Sequence, residues 1–198
     1  MKRLFPLFLK LDQRKCLIVG AGKLGESKAG GLLETGAILY VVAPHATEKI
    51  KAWAQRGQLR WNKRKFRESD LAGCFLVVAA TSSRKLHKRI FQLAEKRKII
   101  CNVVDVPELC DFYYPAVIQR GSLQIAISTS GESPALAQRL RKELEARFGP
   151  EYEEWVRQLG LERRKILNEG AQTAKRKAKL HQMAAEASFR KFLGARTK

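Results

Sequence analysis

Short apolar runs alternate with amphipathic stretches through the first half of the chain. Cys16–Val19 passes straight into Gly20-x-Gly22-x-x-Gly25, and a helical pattern then runs from Lys23 to Thr35 and closes at Gly36. Ala37–Ala43 is a second apolar strand, ended by Pro44, with a helix over about 46–56 and a short strand over 58–61 behind it. Cys74–Thr81 and Lys98–Asp105 read as two more buried strands, separated by a helix over 84–96. Continuous apolar strands alternating with helices predict crossover units and a parallel sheet covered on both faces. The expected fold class is therefore α/β, a Rossmann-like doubly wound sheet. Gly30 and Gly31 fall inside the first helix, where each costs about 1 kcal/mol relative to Ala. Close packing on the sheet is the expected compensation.

Beyond Asp105 the pattern changes. A loop over 107–115 leads to two extended runs, Ala116–Gln119 and Ser122–Thr129, around Arg120-Gly121. Leu123, Ile125 and Ile127 alternate with Gln124, Ala126 and Ser128, which predicts a half-buried antiparallel ribbon suited to pairing with another subunit. Ser133-Pro134 is a good helix start, with a helix expected over 135–147. Two or three further helices are expected after residue 150, with Trp155, Leu159 and Leu161 packing and Lys175–Lys179 forming a basic face. The last stretch is expected to fray. The resulting organisation is a Rossmann-like domain over 1–114, a ribbon and helix segment for dimerisation and the substrate cleft over 115–149, and a basic helical domain over 150–198.

Composition narrows the class. With 198 residues, 45% hydrophobic and 29% charged, the chain can bury a core and is not a disordered sequence. No apolar run reaches membrane-spanning length, and the apolar stretch near the start is too short for a secretory signal core. Cys16, Cys74, Cys101 and Cys110 lack metal-finger spacing and read as small, mostly buried residues in a reducing compartment. A cytoplasmic protein with no membrane partner and no standing metal site is the expectation.

The net charge of +20 alters the picture. Residues 151–198 hold twelve basic and six acidic side chains, so the excess is spread over the chain rather than confined to a tail. Such a field draws polyanions: nucleic acid, an anionic surface, or a small molecule with many carboxylates or phosphates. A solvated surface tuned for solubility is the plainer reading. No aromatic platform accompanies the basic cluster, so nucleic acid is not the favoured partner.

The glycine triplet carries the first candidate chemistry. In a strand–turn–helix context the first glycine makes the bend and the second admits a pyrophosphate. The third lets helix and strand approach, and the helix N-terminus faces the phosphates. Ligands of such sheets lie beyond the carboxyl ends of the strands. That rule selects Gly20, Gly22, Lys23 and Leu24, then Ala43, Pro44 and His45, then Thr81, Asn102 and Asp105. The second strand ends without the Asp or Glu expected to hold a ribose, and without an Arg for a 2′-phosphate. A cofactor there would be held by backbone and His45. Asp105 ends a buried strand where reacting groups sit and could accept a proton or steady positive charge. Equally, an Asp after a strand is a common turn former. Ser128, Thr129, Ser130 and Ser133 could present hydroxyls and N–H groups to carboxylates, or simply start a helix.

These motifs occur in one order across residues 3–148. They are Phe5-Pro-Leu-Phe-Leu, Cys16-Leu-Ile-Val-Gly-Ala-Gly, Leu32-Leu-Glu-Thr-Gly-Ala, Val41-Val-Ala-Pro and Val77-Val-Ala-Ala-Thr. Asn102-Val-Val-Asp, Phe112–Pro115, Arg120-Gly121 and Ala126-Ile-Ser-Thr-Ser-Gly-Glu-Ser-Pro134 complete the series. Together they resemble the precorrin-2 dehydrogenase and sirohydrochlorin ferrochelatase family, the NAD-dependent module of siroheme synthesis.

The resemblance implies NAD as cofactor despite the missing acid, because the family's second strand also ends in Ala-Pro. Gly22, Lys23, Leu24, Pro44 and His45 match its cofactor contacts. Asp105 matches an aspartate implicated in both oxidation and metal insertion in members that do both. Thr129 stands where the fused bacterial enzyme has a phosphorylatable serine, and His87 where Asn is common. The implied function is oxidation of precorrin-2, a tetrapyrrole with eight carboxylates, by a homodimer whose cationic surface steers the substrate. Two alternatives are a nucleotide-responsive nucleic-acid-binding protein and a subunit that hands tetrapyrrole to another enzyme.

Overall fold

In the computed structural model, residues 4–168 and 173–196 are described. Two compact units emerge, Met1–Tyr113 and Tyr114–Lys198. The ribbon and the C-terminal helices, expected as two segments, fall in the same unit.

The first unit is a parallel sheet of β1 (Lys15–Val19), β2 (Ile38–Val42), β3 (Arg60–Asn62), β4 (Leu76–Ala79) and β5 (Ile100–Val103). Their order is β3-β2-β1-β4-β5, so the chain reverses direction across the sheet between β1 and β4. Period-two alternation explains the double cover. Cys16 and Ile18 enter one core layer with Ala29, Leu32 and Ile50, while Leu17 and Val19 enter the other with Leu71, Ile90 and Ala94. The helices supplying those layers are α1 (Lys23–Leu33), α2 (Glu48–Gln55) and α3 (Arg84–Lys96).

The ladders are shorter than the apolar runs. After β2, β4 and β5 the chain leaves the sheet, so Ala43, Thr81 and Asp105 stand just beyond it. Apolarity reports burial, whereas a ladder ends where its neighbour ends. One further bond marks each exit: Gly20 N to Val42 O at 3.0 Å, Ala80 N to Val19 O at 2.8 Å, and Val104 N to Ala79 O at 3.0 Å. Helix α2 begins later than expected because the Thr47 hydroxyl caps it, accepting from Ile50 N at 3.4 Å. Two 3-10 turns, Glu68–Leu71 and Pro107–Leu109, complete the unit. The first is held by Arg64, which donates to Asp70 at 2.9 and 2.5 Å.

The expected reason for Gly30 and Gly31 is not what the structure shows. A Cβ on Gly30 would meet only Trp53 of α2, at an ordinary 3.5 Å, and one on Gly31 would meet nothing within 4 Å. Neither glycine is required by packing on the sheet.

The second unit pairs β6 (Ala116–Arg120) with β7 (Leu123–Ile127) in an antiparallel ribbon, followed by α4 (Pro134–Arg147), α5 (Glu151–Asn168), α6 (Thr173–Met183) and α7 (Glu186–Arg196). Ala116 and Ile118 are buried, and Leu123, Ile125 and Ile127 are half-buried on the same face. Val117, Gln119, Gln124 and Ala126 stand exposed on the other. Arg120 fastens the ribbon to the end of α4, donating to Phe148 O at 2.9 Å. Phe148, Tyr152, Trp155, Phe189 and Phe192 form a chain of ring contacts between α5 and α7, with Tyr152 and Phe189 centroids 4.5 Å apart. Leu161, expected to pack, is 39% exposed, because it falls off the Trp155–Leu159 face of α5. The tail expected to fray is helical through Arg196, held by Phe189. All four cysteines are free, and Cys16, Cys74 and Cys101 are buried.

Candidate active site

Gly20, Gly22 and Gly25 divide the work at the end of β1. Gly20 has φ +106°, and a Cβ there would lie 2.2 Å from Ala80 O, so only glycine fits. A Cβ on Gly25 would lie 2.1 Å from Gly20 O, which shows how tightly α1 sits against the turn. At Gly22 an added Cβ meets nothing within 4 Å. That open side faces the start of α1, whose cap residue Gly22 offers no side-chain hydrogen bond. The first N–H groups of a helix have no partners within it and carry its positive dipole end. With Lys23 and Leu24 exposed in that first turn, the residues present fit a pyrophosphate.

The neighbouring strand ends close around this turn. Ala43 donates to Asn62 O at 3.3 Å and accepts from the Trp61 indole at 3.0 Å, which leaves Pro44 and His45 exposed just past β2. Thr47 N donates to Ala21 O at 3.1 Å, joining the start of α2 to the glycine turn. Thr81 packs its methyl against Gly20 and accepts from Ser83 N at 3.3 Å. Asn102 is buried, and its amide donates to Phe112 O at 2.8 Å and to Cys110 Sγ at 3.4 Å. Its amide nitrogen is thus spent on fixing the segment after β5.

Asp105 lies exposed in the turn after β5 with φ +62°. Asp and Asn tolerate this left-handed backbone better than other non-glycine residues, so the residue shapes the turn while aiming a carboxylate outward. Lys28, on α1, shares its field. Burial holds the Lys28 ammonium below the usual lysine range, and the negative charge of Asp105 works in the opposite direction. Sequence reading passed over Lys28; its place on α1 one turn beyond Leu24 was the available signal.

Ser128, Thr129, Ser130 and Ser133 belong to the second unit. Ser130 N donates to Ser128 Oγ at 3.1 Å, Ser133 N to Thr129 Oγ1 at 3.1 Å, and Leu136 N to Ser133 Oγ at 3.2 Å. Three hydroxyls therefore wire the turn and start α4, and each retains its own O–H to donate. Ser130 adopts φ +53° beside Gly131 at +88°.

Comparison with known proteins agrees with this geometry. Residues 7–116 match a family described as NAD(P)-binding, and residues 120–147 match the central region of sirohaem biosynthesis proteins. Siroheme synthase 2 of Cronobacter sakazakii is 45% identical over 141 residues, 71% of this chain and 31% of that protein. Siroheme synthase of Photorhabdus laumondii is 42% identical over 141 residues, 71% of this chain and 30% of that protein. The chain thus spans about a third of the length of these relatives. Among solved structures, SirC, a precorrin-2 dehydrogenase, superposes with a TM-score of 0.80 at 28% identity, over 97% of this chain and 98% of that one. The expected fold and the family resemblance are both borne out. With its glycine turn, its strand-end cleft and a match over more than half its length, the chain belongs to the NAD(P)-binding family that recurs in siroheme synthesis.

Proposed function

We propose that this protein oxidises precorrin-2 to sirohydrochlorin with NAD as the acceptor. The observation that carries the reading is the placement of an outward carboxylate, Asp105, in the same set of strand ends as the open glycine turn. The whole-chain likeness to a precorrin-2 dehydrogenase supports it.

The oxidation removes two hydrogens from the substrate, one as hydride and one as proton. NAD supplies the hydride acceptor when bound. The chain's own residues do the rest. The N–H groups of Lys23 and Leu24 at the start of α1 hold the pyrophosphate, and Pro44 and His45 border the adenosine end. Asp105 accepts the proton. Lys28 lies close enough on α1 to feel the charge of Asp105 and places a cation on that side of the site. Ser128, Thr129, Ser130 and Ser133 would offer O–H and N–H groups to substrate carboxylates, with the working unit a homodimer in the cytoplasm. Any metal ion inserted into the product would be a substrate; among the described residues no cluster of His, Cys, Asp or Glu could hold a resident one.

The test is anaerobic: purified protein, enzymatically generated precorrin-2 and NAD or NADP, with NADH or NADPH and the sirohydrochlorin spectrum followed together. Matched appearance of NADH and sirohydrochlorin is expected, and ferrous iron added to the same cuvette then tests chelation. Intact substrate with both cofactors would sink the reading. Asp105→Asn keeps a residue that accepts the left-handed turn, so it removes the carboxylate without refolding the loop. Turnover is expected to fall about 100-fold or more, with NAD affinity unchanged.

A further inference from the structure

Helix α3 opens on the Ser83 cap and places Arg84, Lys85 and Lys88 at its start, with no acidic residue in the first turn. Cations at a helix N-terminus oppose the helix dipole, so local helix stability does not account for them. All three are exposed. They line, with His87, Asp105 and Glu108, a cavity of about 650 Å³ between the start of α3 and the segment after β5.

His87 is the second, independent observation. Its residue is 6% exposed, yet both Nδ1 and Nε2 are buried with no hydrogen-bond partner. A buried polar group left unpaired is costly and calls for an explanation. Its place in the cavity wall gives one, because a rotation of the ring that brings a nitrogen to the cavity surface lets a ligand acceptor take the imidazole N–H. Three cations and the N-terminal end of α3 face two carboxylates, Asp105 and Glu108, so the balance favours an anion. His87, Asp105 and Glu108 do not form a metal-holding group among the described residues.

We propose that this cavity is a carboxylate subsite that holds one peripheral carboxylate of the tetrapyrrole next to Asp105. The identity of the ligand rests on the precorrin-2 reading above. Arg84, Lys85 and Lys88 supply the local attraction, and His87 supplies the directional donor that fixes which edge of the macrocycle reaches Asp105. A general positive field would attract the same ligand without caring where the charges sit. The proposal requires that it matters.

The experiment exploits that difference. Uroporphyrin III, which carries eight carboxylates and needs no turnover, is titrated into the full chain by fluorescence quenching at physiological salt, where distant charges are screened. Arg84→Ala/Lys85→Ala/Lys88→Ala is compared with Lys175→Ala/Lys177→Ala/Lys179→Ala, which removes the same charge from α6. The first is expected to weaken binding about ten-fold or more, since it loses charge-assisted contacts, and the second less than about two-fold. His87→Leu is expected to weaken binding about five-fold, while His87→Asn, which keeps an N–H donor, stays near wild type. Equal losses from the two triple variants, or wild-type binding by the first, overturn the subsite. Should His87→Leu fail to fold, the exposed triple variant still decides. Turnover of precorrin-2 by the same wild-type preparation is scored separately. Its absence would sink the dehydrogenase reading, whereas the affinity comparison alone decides the subsite.

Discussion

The two units bury their apolar residues very differently. Most of the buried apolar side chains among the described residues belong to the first unit, and the second contributes Ala116, Ile118, Ala137, Ile166 and Phe189. Every strand of the first unit but the short β3 has neighbours or cover enough to bury most of its side chains, because parallel crossovers place helices on both faces. The first unit's exposed large apolar side chains gather mainly in the segment before its sheet, at Leu4, Phe5, Leu7, Phe8 and Leu9, whereas the second unit leaves Val117, Leu136, Leu167 and Leu193 exposed on its strands and helices. It also leaves an apolar groove of about 600 Å³ between Trp155, Leu159, Met183 and Phe192. The first unit therefore carries its stability within its own sheet. The second depends on ring contacts and on anchors such as Arg120, and its exposed faces fit the homodimer proposed above.

Perturbations of each unit separate these two modes of stabilisation. The largest combined loss, of cofactor binding together with stability, is expected from Gly25→Ala. Its Cβ would lie 2.1 Å from a backbone oxygen that cannot move without displacing the whole turn. Loss of measurable NAD(P) binding and about 2–4 kcal/mol of stability are expected by calorimetry and denaturant titration. Next, Ile18→Ala empties a fully buried position and should cost about 2–5 kcal/mol, with hydrogen exchange rising throughout the sheet. Phe189→Ala should release exchange in α5 and α7 and leave the sheet protected. Uniform loss of protection from either variant would mean that the units unfold as one.

A smaller effect is expected from alkaline pH, and it falls on the first unit. Burial pushes the Cys16 thiol up to about 11, and burial followed by the Asp111 charge pushes Cys101 up to about 12, against 9.0 when exposed. The unfolded chain therefore loses these protons first. Their contribution is fully present below about pH 9 and is lost as pH rises through 11–12. Thiol-reactive reagents at neutral pH should accordingly modify Cys16 and Cys101 only after unfolding. The smallest effect is a gain. Gly31→Ala, where an added Cβ meets nothing, should stabilise by about 0.4–1 kcal/mol, read as a small upward shift of the thermal midpoint.

Much of this architecture was legible along the chain. The apolar runs located four of the five parallel strands to within two residues at each end, because a strand buried on both faces has no polar positions to confuse it, and the third helix matched at both bounds. The order Ser133-Pro134 marked the start of α4, since cap and first-turn preferences are local. The glycine triplet was equally readable, because each glycine answers a steric demand within a few residues of its own position. Leu161 and Gly30 were misread for the opposite reason: what faces them is set by α5's orientation and by Trp53, far along the chain. The unpartnered ring of His87 and the commitment of Asn102 to Phe112 carried no local signal at all, and Lys28 carried only its place one turn beyond Leu24, with nothing to show that it shares the field of Asp105.

By itself, then, the sequence determined the parallel sheet, the glycine turn and the family, all consequences of short-range sterics and hydrophobic periodicity. Which charges surround Asp105, which polar groups are already satisfied and which remain open to a ligand were decided only by tertiary structure. Those properties depend on distances between residues that the chain itself holds far apart.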